Sequence, residues 1–333
     1  TVPEGGFITL ETTPKGRIGL VYKLYDAAKR GDINYKPFFY PWWWDITCLR
    51  TPKDILKYTD EEKQLIEYVR RTDNMELTPS QIAFRREKIA ELPGDLFFQE
   101  YPENDVDCWL SSEVSAFGGE AIRRYLLRIQ PGRQEGNWTI WKDIIGGERY
   151  VIGVDAAAGL AKGDWSVASI LRVKTNEYVA RFRAKVPPDL FAQEVLRFGQ
   201  RYNDAEIGVE REAHGHTVLR ILLENNYPNI YYHQDYDVIM GNTIGQPGWK
   251  TSGKTKPVMV DTMNTALRAD DIAICSENFL NEASAYIVEG NVYQKSPGGS
   301  DDELDALMIA LQLRNNMPII ESAKRAVVSY ARL

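Results

Sequence analysis

From Tyr150 onward the chain alternates short apolar runs with longer segments whose apolar residues recur every three or four places. That texture predicts strands alternating with helices. Tyr150, Val151, Ile152 and Val154 form the first run, and Asp155 closes it. Strands are expected over residues 151–155, 166–173 and 178–185, the last two joined by a turn around Asn176, as in an antiparallel meander. Pro187-Pro188-Asp189 opens a helix to about Arg201, with Phe191, Val195, Leu196 and Phe198 on its apolar side. A fourth strand is expected at 206–210, a helix from about His216 to Asn225, and a short strand at 230–232. A long loop carrying Gly241, Gly245, Pro247 and Gly248 follows. Pro257 begins another helix, 272–274 reads as a short strand, and a further helix precedes a strand over 286–293. A final helix is expected from about Asp302 to Asn315.

The first part of the chain reads differently. A short strand at 6–10, a polar loop at 11–16 and a helix over 18–29 look like the end of an α/β layer. An aromatic, extended stretch from Tyr35 to Trp44 follows, and its Trp42-Trp43-Trp44 run is read as packing surface. The middle is helical: one helix starts at Thr51-Pro52-Lys53 and another spans 60–71. A third has Thr78 as cap and Pro79 in its first turn, carries Ile82, Phe84 and Ile89, and stops before Pro93-Gly94. The turn-rich, polar segment 130–137 is the best candidate for a linker. No internal repeat or low-complexity tract interrupts the chain.

Composition narrows the function. At 333 residues the chain has room for two domains. No run approaches the roughly 20 apolar residues of a membrane span, so no membrane partner is expected. Nothing at the start reads as a secretory signal, and an opening at Thr1 without Met is what a trimmed or partial chain would show. A net charge of −7 supplies no global basic field for nucleic acid, yet leaves room for a nuclease whose acidic site is masked by divalent metal. Cys48, Cys108 and Cys275 are widely spaced and odd in number, which fits a reducing compartment and neither a disulfide framework nor a zinc site.

Against that background the acids at element ends stand out. Asp155 ends the first strand of the alternating region, and Glu210 ends Ile207-Gly208-Val209-Glu210, a second apolar run closing on a carboxylate. Asp301 and Asp302 open the final helix, with Asp305 one turn on. A carboxylate at the end of a core strand is costly unless something pairs with it, and a metal ion is one such partner. A strand-end Asp also caps turns, and acids suit helix N-termini in any case. Three carboxylates from separate elements are what two hard divalent ions need, set about 3.5–4 Å apart to clamp the attacking and leaving oxygens of a phosphodiester. If the first and fourth strands are neighbours, the final helix can bring its N-terminus to both. Asp164 reads as a turn residue, and His214 and His216 flank Gly215 just after Glu210. The Gly-containing stretch 249–256 holds Lys250, Lys254 and Lys256, candidates for backbone phosphate contacts that read no sequence.

These residues resemble those of the large terminase subunit of tailed bacteriophages, the DNA-packaging motor. In that family an ATPase domain precedes a nuclease domain of the ribonuclease H type. Asp155, Glu210 and Ser300-Asp301-Asp302-Glu303-Leu304-Asp305-Ala306 match the family's acids in order, with Ser300 where many relatives have His. Leu10-Glu11-Thr12-Thr13-Pro14-Lys15-Gly16 resembles the ATPase coupling motif, and the stretch from Gln99 to Ser112 resembles the close of the ATPase domain. The chain contains no GxxxxGK[ST] loop and no strand ending in Asp-Glu before Thr12, so ATP hydrolysis is not expected of it.

The resemblance implies an α/β fold: a ribonuclease H-like mixed sheet flanked by helices, preceded by an incomplete α/β ATPase-type segment. Residues 1–135 would be the end of the ATPase domain with its helical linker region, and 136–333 the nuclease domain. It implies a metal-dependent endonuclease that cuts double-stranded DNA with two Mg2+ or Mn2+ ions. Asp155, Glu210, Asp302 and Asp301 would hold the metals and Lys250, Lys254 and Lys256 the DNA. Portal protein and the small terminase subunit are the implied partners, and the host cytoplasm the implied location. Two rivals stay open: a resolvase-type nuclease on the same fold, and a nuclease-inactive prophage remnant or docking module.

Overall fold

Helix starts in the upstream part follow from their caps. A computed structural model of the chain describes residues 8–14, 20–52, 57–92, 96–109, 115–212, 214–237, 242–289, 292–296 and 299–317. Helix α1 spans Leu20–Arg30. Helix α2, Asp60–Asp73, opens on a capping box in which Thr59 and Glu62 each satisfy the other's backbone N–H. Helix α3, Pro79–Glu91, does the same with Thr78 and Gln81, and Pro79 takes the first position, where its missing N–H costs nothing. Helix α4 spans Leu96–Glu100 and α5 spans Gly119–Leu126. Trp42, Trp43, Leu65, Val69, Ile82, Phe84 and Phe97 form the core of this region. Trp42 and Trp43 are therefore packing residues, with Trp42 5.6 Å from the Phe84 ring and the indole N–H of Trp43 donating to Asp73. Arg85 and Glu103 form a buried ion pair at 2.7 Å, each side chain 5% exposed, and Glu61 also accepts from Arg85.

The alternating region folds as predicted in its centre. Strands β1 (Arg133–Glu135), β2 (Trp138–Ile140), β3 (Tyr150–Asp155), β4 (Ser166–Arg172), β5 (Glu177–Ala184) and β6 (Glu206–Val209) form one mixed six-stranded sheet in the order β1-β2-β5-β4-β3-β6. Strands β3, β4 and β5 are the expected antiparallel meander, with Asn176 in the left-handed conformation at the β4–β5 turn. Strand β6 joins β3 in parallel, Val154 opposite Val209. The chain reaches β6 from β5 through α6, Pro188–Arg201.

Both faces of the sheet are covered, which is why β3 and β4 read as nearly continuous apolar runs. On one face Ile152, Val154, Ile170 and Phe182 pack against α6 and α7 (Gly215–Glu224). On the other, Val151, Leu171 and Tyr178 pack against α8 (Thr255–Ala269), α9 (Glu277–Ser284) and α10 (Asp302–Asn316). Ala121, Ile122 and Tyr125 of α5 belong to this second core. Helix α10 crosses β3 at Gly153, where a Cβ would stand 2.0 Å from the Ala306 carbonyl oxygen. Glycine at that position is what lets the helix backbone meet the strand.

Several expectations need correction. The linker candidate 130–137 is the β1–β2 hairpin at the sheet edge, turning on Gly136 in the left-handed region. The long loop is largely an antiparallel ribbon, β7 (Tyr232–Asp237) with β8 (Asn242–Pro247), whose polar sequence shows no apolar face. The single strand at 286–293 is a pair, β9 (Tyr286–Glu289) and β10 (Val292–Lys295). Residues 272–274 make only a bridge, Ala273 to Glu177. Ile8, Thr9 and Leu10 have no regular structure, and Gly6, Phe7, Lys15 and Gly16, with residues 53–56 and 110–114, lie outside the described residues. No helix among the described residues is long and apolar enough to cross a membrane.

Candidate active site

Pairing of β3 with β6 sets the floor of the site. The Glu210 N–H donates to the Val154 carbonyl at 2.9 Å, so the register runs one place past Val209 and brings Glu210 beside Asp155. Trp249 extends the sheet on the far side of β6: its N–H donates to Val209 at 2.7 Å, and Glu210 bridges to it. The chain then leaves Glu210 for α7 with no space for a side chain at Gly215, where a Cβ would stand 1.7 Å from the Glu210 carbonyl oxygen. This close approach explains the acid-then-Gly spacing.

Helix α10 supplies the roof. Its first turn presents Asp301, Asp302 and Asp305 to Asp155. Burial holds the Asp155 carboxyl well above the usual range, and the charges of Glu210, Asp305, Asp302 and Asp301, in that order, push it further. Burial also raises Asp302, against donors that favour its charged form: the Ser300 hydroxyl and the Trp165 N–H, the latter at 3.3 Å. Ser300, where the resemblance leads one to look for His, is thus a direct partner of Asp302. Asp305, one turn on, is also largely shielded from solvent. It is pushed up to about 7, chiefly by burial and against the pull of Lys256.

The lysines divide. Lys250 and Lys254 are exposed, on a turn ordered by Ser252 and Thr255. Lys256 faces inward, its ammonium 2.6 Å from both Asp305 oxygens, with the two side chains 17% and 15% exposed. Burial works against its charge, yet Asp305 holds its pKa above the ordinary lysine value. Lys295, which sequence reasoning did not single out, pairs with Asp301 at 3.1 Å and Asp164 at 3.3 Å. Asp164 is exposed in the Ala156–Trp165 loop, just past the turn expected to hold it. His214 occupies the position before α7 without a side-chain capping bond, and exposed His216 lines a cleft of about 360 Å3 with Arg211, Arg220 and Leu223.

Sequence reasoning also passed over a group beside the acids. Trp165 carries the Arg183 guanidinium 4.0 Å from its ring centre and the Lys185 ammonium at 4.7 Å. Arg181, Arg183 and Lys185 alternate along the end of β5, a period-two row of cations visible in the sequence but without meaning until β5 is placed beside α10.

The donor set fits a hard divalent cation, since it offers carboxylate oxygens and buried, mutually repelling negative charge. Among the described residues, however, no three His, Cys, Asp or Glu side chains stand close enough together to hold one ion. Two ammonium groups instead offset part of the charge.

Residues 152–314 match the family described as "Terminase RNaseH-like domain". These residues are thus similar to a terminase RNaseH-like domain. Their mixed sheet flanked by helices is the ribonuclease H-like fold expected from the sequence. The domain is similar to the large terminase nuclease from thermophilic phage G20c with bound magnesium, at 15% identity and a TM-score of 0.48, covering 61% of this chain and 98% of that one. It is also similar to the same nuclease with bound cobalt, at 17% identity and a TM-score of 0.49, covering 61% and 98%. The nuclease domain of the Thermus phage P74-26 large terminase gives 16% identity and a TM-score of 0.46, covering 59% and 93%. No match was found among curated proteins. The assignment rests on the family match and the strand order rather than on these likenesses.

Proposed function

We propose that the chain is the nuclease-bearing part of a phage DNA-packaging terminase, and that it cuts double-stranded DNA with divalent ions held by the acid cluster. The observation that carries the proposal is the parallel β3–β6 pair, with Asp155 and Glu210 side by side at its end under the acidic first turn of α10. Asp155, Glu210 and Asp302 would be the ligands of two Mg2+ or Mn2+ ions, with Asp301 beside them. Bound there, the ions would supply an activated water and neutralise charge on the leaving 3′ oxygen.

The chain's own residues do the rest. Ser300 and the Trp165 N–H orient Asp302. Lys256 holds Asp305 against the cluster. Exposed Lys250 and Lys254 would meet DNA phosphates, and Lys256 would reach one only by giving up its ion pair. With a net charge of −7 the chain should bind DNA weakly and with a steep salt dependence, so delivery by the motor matters. In this reading 136–333 is the nuclease domain and 1–135 the end of an ATPase-type domain. Portal and small terminase subunit are its partners, and the host cytoplasm its place of work.

One observation favours the rival docking module: lysines, not open positions, face Asp305 and Asp301. Plasmid cleavage in Mn2+, Mg2+ or EDTA, with calorimetric Mn2+ titration, separates the two. Metal-dependent nicking and linearisation that vanish in Asp155→Ala are expected. Cleavage that survives Asp155→Ala would sink the proposed site. Neither cleavage nor Mn2+ binding would favour the docking module, whereas binding without cleavage would point to a site that works only in the assembled motor.

A further inference from the structure

Two buried acids lie outside the cluster, and both grip the start of α10. Glu282, on α9, is buried, and its Oε2 accepts from the backbone N–H of Glu303 at 2.8 Å and of Leu304 at 2.9 Å. The first N–H groups of a helix have no partner within it, so a carboxylate from another helix fixes where that turn sits. Glu303 is fully buried and anchors the same turn to the sheet from its side chain. It accepts from Ser276 Oγ at 2.6 Å, Tyr178 OH at 3.1 Å and Arg181 Nη1 at 2.8 Å. The other Glu282 oxygen faces Arg183 Nη2 at 3.6 Å. Arg183 lies over the Trp165 ring, and the Trp165 N–H reaches Asp302. Asp301 and Asp302 immediately precede the gripped N–H groups.

We propose that Glu282 is a positioning residue: by holding the Glu303 and Leu304 N–H groups it sets where Asp301 and Asp302 stand relative to Asp155. The inference rests on the proposed metal site, and it deepens that reading by naming what holds one wall of the site in place. The role is one of reach rather than charge. Glu282→Gln keeps an acceptor oxygen at the same distance without the charge. Glu282→Asp keeps the charge and draws it back by one methylene.

The test compares these two variants by amide hydrogen exchange at Glu303 and Leu304, by Mn2+ titration calorimetry and by melting temperature. Glu282→Gln should keep exchange protection and Mn2+ affinity near wild type. Glu282→Asp should exchange those two amides at least about tenfold faster and bind Mn2+ about tenfold more weakly, the range seen when groups supporting metal ligands are altered. That loss should appear in variants that stay folded at the assay temperature, which separates positioning from general destabilisation. Wild-type exchange in Glu282→Asp, or an equal loss in Glu282→Gln, would overturn the proposal. Amide exchange needs no metal. A wild type that binds no Mn2+ would refute the metal reading while the exchange comparison still decided the role of Glu282.

Discussion

Substituting Gly153 with alanine tests the central contact of the fold. A Cβ there would stand 2.0 Å from the Ala306 carbonyl oxygen and 2.5 Å from the Ala310 nitrogen, where real Cβ contacts stay above 3.0 Å. Relief requires α10 and β3 to part by about 1 Å, and neither yields easily. Strand β3 is hydrogen-bonded on both edges, to β4 and β6, and the obstacle on α10 is backbone. Overpacking of this kind costs about 1–3 kcal/mol, and the rigid neighbours argue for the upper end. For a domain of this size 3 kcal/mol lowers Tm by roughly 6–12 °C. The same shift moves Asp302 and Asp305 away from Asp155, and a displacement of about 1 Å at a reacting centre costs on the order of 100-fold in rate. Differential scanning fluorimetry and plasmid cleavage measure the two effects. A Gly153→Ala protein melting within about 2 °C of wild type would show that the helix does not rest on the strand as described.

Other perturbations should act through charge. Asp155→Asn removes a buried negative charge from among four others. Without metal its melting temperature should rise, and the stabilisation by Mn2+ should disappear; a lower metal-free Tm would contradict the repulsion argument. Burial raises Asp155, takes Asp305 to about 7 and Glu282 to about 8, all above their unfolded values, so the folded state holds more protons in between. Stability in EDTA should therefore fall as pH climbs from about 5 to 8, and a urea midpoint that stays flat or rises across that window would be inconsistent with it. Millimolar Mg2+ should lessen the fall. In the upstream core, Glu103→Ala strands Arg85 with only Glu61 as partner and should cost about 3 kcal/mol, the low end for a broken buried pair; a loss below about 1 kcal/mol in denaturant titration would mean the pair is solvated.

Legibility of the chain followed its burial. Strands β3 to β6 and helices α6, α7 and α10 were readable because both faces of the sheet are covered, and apolar period and length then agree. Helix α3 was readable from Thr78 and Pro79 alone. Strands β1, β7 and β8 were missed because edge and ribbon strands carry polar residues and pair on one side, whereas β2, buried and paired on both sides, is only 3 residues long and too short to show a period. The separate acids Asp155, Glu210 and Asp302 were visible at element ends; the parallel β3–β6 pair sets Asp155 beside Glu210, and α10 carries Asp302. The inward turn of Lys256 was not visible, since its partner Asp305 lies 49 residues away. The same holds for Glu282, which looks like any helix-surface glutamate until α10 is laid beside α9.

Helix α5 has a consequence for how such chains can be recombined. Tyr125 donates to the Ile272 carbonyl at 2.5 Å and Arg124 to the Leu267 carbonyl at 2.7 Å, while Ala121 and Ile122 fill the space between α8 and α9. Chain order assigns α5 to the upstream part, but its packing assigns it to the sheet. A genetic crossover at residue 136 would set the α5 of one parent against the sheet and helices of the other, with their packing unmatched. A crossover upstream of Val106 would transfer the wall with the sheet. Viable exchange of this sheet unit between related chains should therefore cluster before this helix, not in the turn-rich stretch that looks like the seam.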